Sequence, residues 1–267
     1  MTHSIQDAFN FVKQQNKKAL IPFITAHYPN RDLFNYFLNN LAHNGANIIE
    51  IGIPFSDPMA DGEVIQKTSF TAIKNGFKMD VLFDDIHSFK KQFPTIPIVL
   101  MTYLNPLIQY GMDSFLKTAK ENGVNGILIV DLPPENFGKV INNSFGLDMI
   151  RLVTATTSNE RVKIVQQNAS GFIYYVSIKG VTGSKLPNLS EIKNHLDELS
   201  EFISLPKVIG FGINSTESAQ QMAEISDGIV IGSSLLKPLL DVDSSSLKDC
   251  IDIQLSFLNQ VNNAINQ

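Results

Sequence analysis

One cysteine, three arginines and no long apolar run set the outer bounds on what this 267-residue chain can be. The lone Cys250 excludes an internal disulfide framework, which accords with a reducing compartment without establishing one. Arg31, Arg151 and Arg161 are the only guanidinium groups, the net charge is -5, and no basic cluster tracks along an expected helix. The footprint of a nucleic-acid binder is therefore missing. An anionic substrate would need backbone N–H groups more than guanidinium clamps. The longest apolar stretch, "IPIVLMTYL", is far too short to span a bilayer. The opening "MTHSIQDAFNFVKQQNKKAL" has neither an apolar leader core nor a small-residue cleavage site. A soluble cytoplasmic protein is the expectation. His3, His27, His43, His87 and His195 are scattered without metal-ligand spacing, so no metal is expected. No nucleotide fingerprint or nucleophile elbow occurs, and "GVTGSK" has the wrong glycine spacing for a P-loop.

What is present is a rhythm. Apolar runs of a few residues recur, each followed by a loop and a stretch of helical period. The strand candidates are residues 20–25, 48–52, 97–103, 126–130, 149–154, 171–177, 207–211 and 228–232. Continuous apolar strands separated by helices imply a parallel sheet covered on both faces. Eight such units without a linker predict a closed (β/α)8 TIM barrel, one domain over residues 1–267, with an extra N-terminal helix.

Helix ends can be read from residue type. Gly45 and Gly123 should stop the helices before them, while Asp113 and Ser158 should cap the starts of two others. Ser215 has its glutamate two residues on, which predicts a cap without a complete capping box. The segment from Pro54 to Gly76 and the segment 178–190 read as long loops on the strand-to-helix side, where a barrel keeps its function.

The chemistry concentrates in "IIEIGIPFSDPMADG", residues 48–62. Glu50 should stand at the mouth end of the second strand, and Ile48, Ile49, Ile51 and Ile53 should raise its pKa toward neutrality. A catalytic acid/base is favoured there over a structural carboxylate. Asp57 precedes a proline and Asp61 a glycine, both turn signatures, so position alone leaves Asp61 undecided and favours a local role for Asp57. Asp131, followed by two prolines, reads equally as a mouth residue or a turn. Glycine loops follow the sixth, seventh and eighth strands, in "GVTGS", "GFGINS" and "GSS". Weak singly, together they suggest a phosphate cradle of backbone N–H groups, with hydroxyls from Ser233 and Ser234.

These motifs closely resemble the α subunit family of tryptophan synthase. The segments "ALIPFITAHYP", "IIEIGIPFSDPMADGEVIQ", "LMTYLNP", "GILIVDLPPE", "GFIYYVSIKGVTG", "VIGFGI" and "GIVIGSSL" carry the resemblance from residue 19 to residue 237. It implies a lyase that cleaves indole-3-glycerol phosphate to indole and glyceraldehyde 3-phosphate. Glu50 matches the family's general acid/base, and Asp61 the carboxylate facing the indole N–H. Phe23, Met101, Tyr103, Leu128, Val130, Val153 and Tyr174 match pocket positions, although barrel core is a comparable reading for the aliphatic ones. Thr182 matches a loop threonine that meets Asp61 on closure, in a segment, 179–190, expected to move. Gly183, Gly212, Gly232 and Ser233 match the phosphate positions.

The resemblance further implies that the chain holds no cofactor and works with a separate β subunit carrying pyridoxal phosphate, in an α2β2 tetramer. Pro54, Phe55, Ser56, Asp57, Asn105 and Pro133 would face that partner. His27 stands where most members have glycine, and Ala155 where proline is common. His27 is expected to alter the first loop or its contact with ligand. A stand-alone lyase and a non-catalytic activator of a β subunit are the alternatives; Glu50, Asp61 and Tyr174 together argue against the activator.

Overall fold

Buried on both faces, each apolar run forms a strand of a closed parallel barrel. A computed structural model describes residues 4–141, 145–176, 189–210 and 212–267. The strands are β1 (Ala19–Thr25), β2 (Ile49–Gly52), β3 (Ile98–Thr102), β4 (Gly126–Ile129), β5 (Asp148–Thr154), β6 (Ile173–Val176), β7 (Lys207–Ile209) and β8 (Gly228–Ile231). Each pairs in parallel with the next, and β8 returns to β1. All eight expected strands form, within about two residues of their expected ends.

Helices wrap this barrel: α1 (Ile5–Gln14), α2 (Arg31–His43), α3 (Glu63–Lys74), α4 (Met79–Gln92), α5 (Leu104–Tyr110) and α6 (Met112–Glu121) in the first half. The second half carries α7 (Phe137–Val140), α8 (Asn159–Gln167), α9 (Leu189–Ser200), α10 (Thr216–Glu224), α11 (Ser233–Leu236) and α12 (Leu247–Ile265). The extra N-terminal helix, α1, closes the floor. Its Ile5 and Phe9 are buried, and the Phe9 ring lies 5.9 Å from that of Phe172 at the start of β6.

Three expectations about local structure need correction. The segment from Pro54 to Gly76 is mostly helix α3, not loop. Its buried face is Thr68, Ser69 and Ala72, so the apolar period that marks a helix is absent from the sequence. The inward polar groups are satisfied instead: Thr68 Oγ1 lies 2.7 Å from Thr25 Oγ1 and donates to the Ile65 carbonyl at 2.9 Å.

Asp113 does not cap α6. That helix starts at Met112, directly after α5, and Gly111 with φ of 90° makes the corner between them. At α10 the capping box is complete, because Ser218 supplies the reciprocal side chain that a glutamate usually provides. Ser158 caps α8 as expected, accepting from the Arg161 N–H. Gly45 and Gly123 follow the ends of α2 and α6 with positive φ. The expected second long loop, 178–190, lies outside the described residues up to position 188 and then begins α9.

Candidate active site

The strand register decides which side chains meet. Phe23 on β1 is level with Glu50 on β2, and Gly52 with Met101 on β3. Met101 is level with Leu128 on β4, and Leu152 on β5 with Tyr174 on β6. Alternation along a strand sends every second residue inward, so these side chains share the barrel interior. At the mouth end they enclose a cavity of about 270 Å³, into which Phe23, Asp61, Met101, Leu128, Val130 and Tyr174 project. Gly212, Gly232 and Ser233 line its other side.

Two glycines make room for the aromatic walls. A Cβ on Gly52 would collide with the far end of the Phe23 ring, and one on Gly210 with the Tyr174 hydroxyl. Their strand-end positions read as turns in the sequence. In the fold each is the gap that an aromatic ring fills. Tyr174 donates from that gap to the Gly210 carbonyl at 3.3 Å.

Glu50 lies below this cavity, fully buried. Neither carboxylate oxygen has a hydrogen-bond partner among the described residues. Burial, and then the nearby charge of Asp61, push its pKa up to about 8. The direction is as expected, and burial is its larger cause. Ile49 and Ile51 alternate with Glu50 and so point to the opposite face of the sheet, whereas Ile48 shares its face. Phe23 and Val99 are its register neighbours in the barrel interior.

Asp61 sits at the end of the loop that follows β2 and is half-buried. Burial raises its pKa to about 6, against the pull of a hydrogen bond from Tyr103. That bond is short work for the fold and decisive for the loop: Tyr103 Oη donates to Asp61 Oδ2 at 3.0 Å and accepts from the Ala60 N–H at 3.0 Å. The Gln66 side chain, one turn into α3, donates to the Asp61 carbonyl at 2.8 Å. Tyr103 therefore does not line the cavity, contrary to its expected place; it stands behind Asp61 and holds it.

Val153 is the other displaced residue. It is fully buried on the outward face of β5, and Leu152 takes the inward position. The signal was in the sequence: Arg151 and Val153 share a face, and a closed apolar interior does not take an arginine. Ala60, Ile65, Val176, Ile213 and Val230 also line the cavity and were not anticipated. Thr182 and Gly183 lie outside the described residues, as does the 179–188 part of the segment expected to move.

Of the residues expected to face a partner, Ser56, Asp57, Asn105 and Pro133 are exposed, and Phe55 is half-buried with its ring 5.2 Å from that of Tyr103. Pro54 is buried within the chain, which corrects its expected exposure. Asp57 accepts from the neighbouring Ser56 hydroxyl at 2.5 Å, a local role. Asp131 reaches across to accept from the Leu104 N–H at 2.7 Å, fixing the start of α5. His27 adopts φ of 57°, a conformation glycine takes without strain, and is buried. Its ring packs against Phe34 and Phe77 with Nε2 2.9 Å from Asp85 Oδ2, away from the cavity.

The family model described as tryptophan synthase alpha chain matches residues 9–265. The chain belongs to the tryptophan synthase alpha chain family. The protein of that name from Paraburkholderia phytofirmans is 42% identical over 238 residues, 88% of each chain. Its namesake from Legionella pneumophila strain Lens is 39% identical over 256 residues, 95% of this chain and 94% of the other. The crystal structure of tryptophan synthase subunit alpha from Legionella pneumophila strain Paris superposes with a TM-score of 0.89 at 35% identity, covering 99% of both chains. Membership in the tryptophan synthase alpha family thus extends over the barrel and the terminal helices alike.

Proposed function

We propose that this chain, as a lyase of the tryptophan synthase alpha family, cleaves indole-3-glycerol phosphate with Glu50 as general acid and base and Asp61 as the carboxylate that faces the indole N–H. The observation that carries the reading is the pair's divided ionisation. With a pKa of about 8, Glu50 is mostly protonated at neutral pH, while Asp61 at about 6 is mostly ionised.

The chemistry needs both states. Protonated Glu50 delivers its proton to indole C3, which turns the ring into an indolenine cation. The Asp61 carboxylate stabilises the positive charge at the ring N–H. Glu50, now ionised, removes the proton from the adjacent glycerol hydroxyl. The bond from C3 to the glycerol chain breaks, its electron pair returns to the ring, and the hydroxyl carbon becomes the aldehyde of glyceraldehyde 3-phosphate. One proton enters at C3 and one leaves the hydroxyl, so Glu50 ends as it began.

Phe23, Met101, Leu128, Leu152 and Tyr174 form an apolar slot suited to the indole ring. Gly212, Gly232 and Ser233 on the far side suit the phosphate, because glycine backbone and a serine head the short helix α11. Thr182 and Gly183 complete the proposal from the segment that connects β6 to α9. We assign no cofactor to this chain and place pyridoxal phosphate in a β partner. The exposed Ser56, Asp57, Asn105 and Pro133, with half-buried Phe55, would meet that partner, in an α2β2 assembly of the cytoplasm. Among the described residues no helix is long and apolar enough to cross a membrane. The whole chain would act as one barrel domain.

Indole release from indole-3-glycerol phosphate by the purified chain, alone and with a β subunit, tests the reading. Slow cleavage alone and faster cleavage with the partner are expected. Glu50→Gln should lower turnover by on the order of 10²-fold or more. Near-normal turnover in Glu50→Gln would overturn the assignment.

A further inference from the structure

Outside the barrel wall, between the mouth ends of β4 and β5, lies a second cavity of about 500 Å³. Its polar lining comes from Asp131, Arg151, Thr154, Thr156, Thr157 and Arg161. Arg151 is on the outward face of β5, and its guanidinium carbon stands 4.0 Å from the centre of the Phe137 ring on α7. The residue is 5% exposed, yet its Nε and Nη2 have no hydrogen-bond partner among the described residues.

Other charged groups in the same region are accounted for. Arg161 pairs with Glu135 at 3.1 Å, and Asp131 accepts from Leu104. Lys90, also buried, donates to the carbonyls of Pro94 and Ile96 at 3.1 and 2.7 Å. Among the described residues Arg151 is the buried cation whose Nε and Nη2 meet no acceptor. Burial lowers its pKa to about 10, so it stays charged at neutral pH. The Phe137 ring offers the guanidinium an aromatic face but no acceptor, and a guanidinium fork fits an oxyanion with two donors at once. The Thr154 hydroxyl, 3.0 Å from that of Thr156 and 3.2 Å from that of Thr157, heads a hydroxyl cluster on the same wall.

We propose that this cavity is a second anion-binding site, in which Arg151 takes the phosphate or carboxylate group of a small molecule beside the threonine cluster. It is separate from the barrel cavity, but the two share a wall: Val130 and Leu152 line both. An anion held at Arg151 therefore sits one side chain away from the slot that would receive indole.

Inorganic phosphate and acetate, titrated by calorimetry into the full chain, distinguish the two ligand sources. Phosphate should fill two sites in the wild-type chain, one at the barrel mouth and one at Arg151. Arg151→Met should keep the first and weaken the second by about ten- to a hundredfold. If the site prefers carboxylates, the acetate isotherm is the one that changes. Equal phosphate and equal acetate binding in wild type and Arg151→Met would overturn the site. Thermal melting with and without phosphate gives an independent reading. Phosphate should raise the melting temperature of the wild-type chain more than that of Arg151→Met, whatever the variant's own stability, because the variant keeps only the mouth site. Equal rises in the two would also overturn the proposal.

Discussion

Among the carboxylates between β2 and β3, Asp61 in the loop before α3 and Asp85 within α4 have surroundings that push them in opposite directions. Burial raises both. For Asp85 the rise is outweighed by hydrogen bonds from His27, Arg31 and Asn35 and by the Arg31 charge, and its pKa falls below the ordinary value. Arg31 Nη2 is 2.7 Å from Asp85 Oδ1. Among the described residues Asp61 has a neutral tyrosine as its side-chain partner, and its pKa rises to about 6. A cation makes a carboxylate a fixture of the fold. Withholding the cation, while still fixing the position, leaves the charge available to a ligand.

The contrast breaks most sharply at the two aspartates themselves. Asp61→Asn should lower indole release by about 10²-fold with little change in melting temperature, because it removes charge stabilisation from the ring cation. Asp85→Asn should do the reverse: turnover of the folded protein within about twofold, stability lower by about 1–3 kcal/mol. That figure is discounted from the usual cost of breaking a buried pair, because the Arg31 side chain is half exposed. Denaturant midpoints and initial rates for both variants check the pair. A catalytic defect in Asp85→Asn as large as that of Asp61→Asn would dissolve the distinction.

Glu50 extends the comparison to pH. Its folded pKa of about 8 lies above the ordinary 4.5, so the folded chain keeps a proton that the unfolded chain gives up. The resulting stability is fully present below about pH 4.5 and is lost as pH rises through about 8. Glu50→Gln cannot lose it. The variant should therefore gain on wild type across that window, seen as diverging urea midpoints. Asp85, with its pKa lowered, contributes stability above its unfolded value and loses it as acid protonates it, so Asp85→Asn should narrow its gap to wild type at low pH. A gap between wild type and Glu50→Gln that stays flat from about pH 5 to about pH 9 would count against the buried, protonated acid.

Tyr103→Phe is the finest probe. It removes the bond to Asp61 Oδ2 and the acceptor for Ala60 N–H while keeping the ring. A hydrogen bond to an ionised carboxylate is charge-assisted, and its loss corresponds to roughly 1.5 kcal/mol or a change of about tenfold. If Tyr103 positions Asp61, the pH profile of turnover should shift as well, which a merely structural tyrosine would leave in place. The hydroxyl lowers the Asp61 pKa, so its loss should move the acid limb upward.

The barrel was legible because each strand is a short, predominantly apolar run bounded by turn residues, and eight such runs admit few arrangements. Helix α3 was not, since Thr68, Ser69 and Ala72 face inward and polar atoms leave no hydrophobic period. Glu50 stood out as one acid in an apolar run, and burial does raise its pKa. Its immediate neighbours in sequence are on the opposite face of the strand, so the sequence could not name Phe23 on β1 and Val99 on β3 as the residues level with it. The same period of two separates Leu152 from Val153. What no local pattern could reveal is the bond from Tyr103 to Asp61, between residues 42 positions apart.

That tyrosine has a mechanical meaning. Phe55, at the outer edge of the loop, rests against one side of the Tyr103 ring, while the hydroxyl holds Asp61 at the cavity. The loop is thus pinned twice on one ring, its outer part at Phe55 and its inner end at Asp61. A single side chain from β3's end serves as the common post for both.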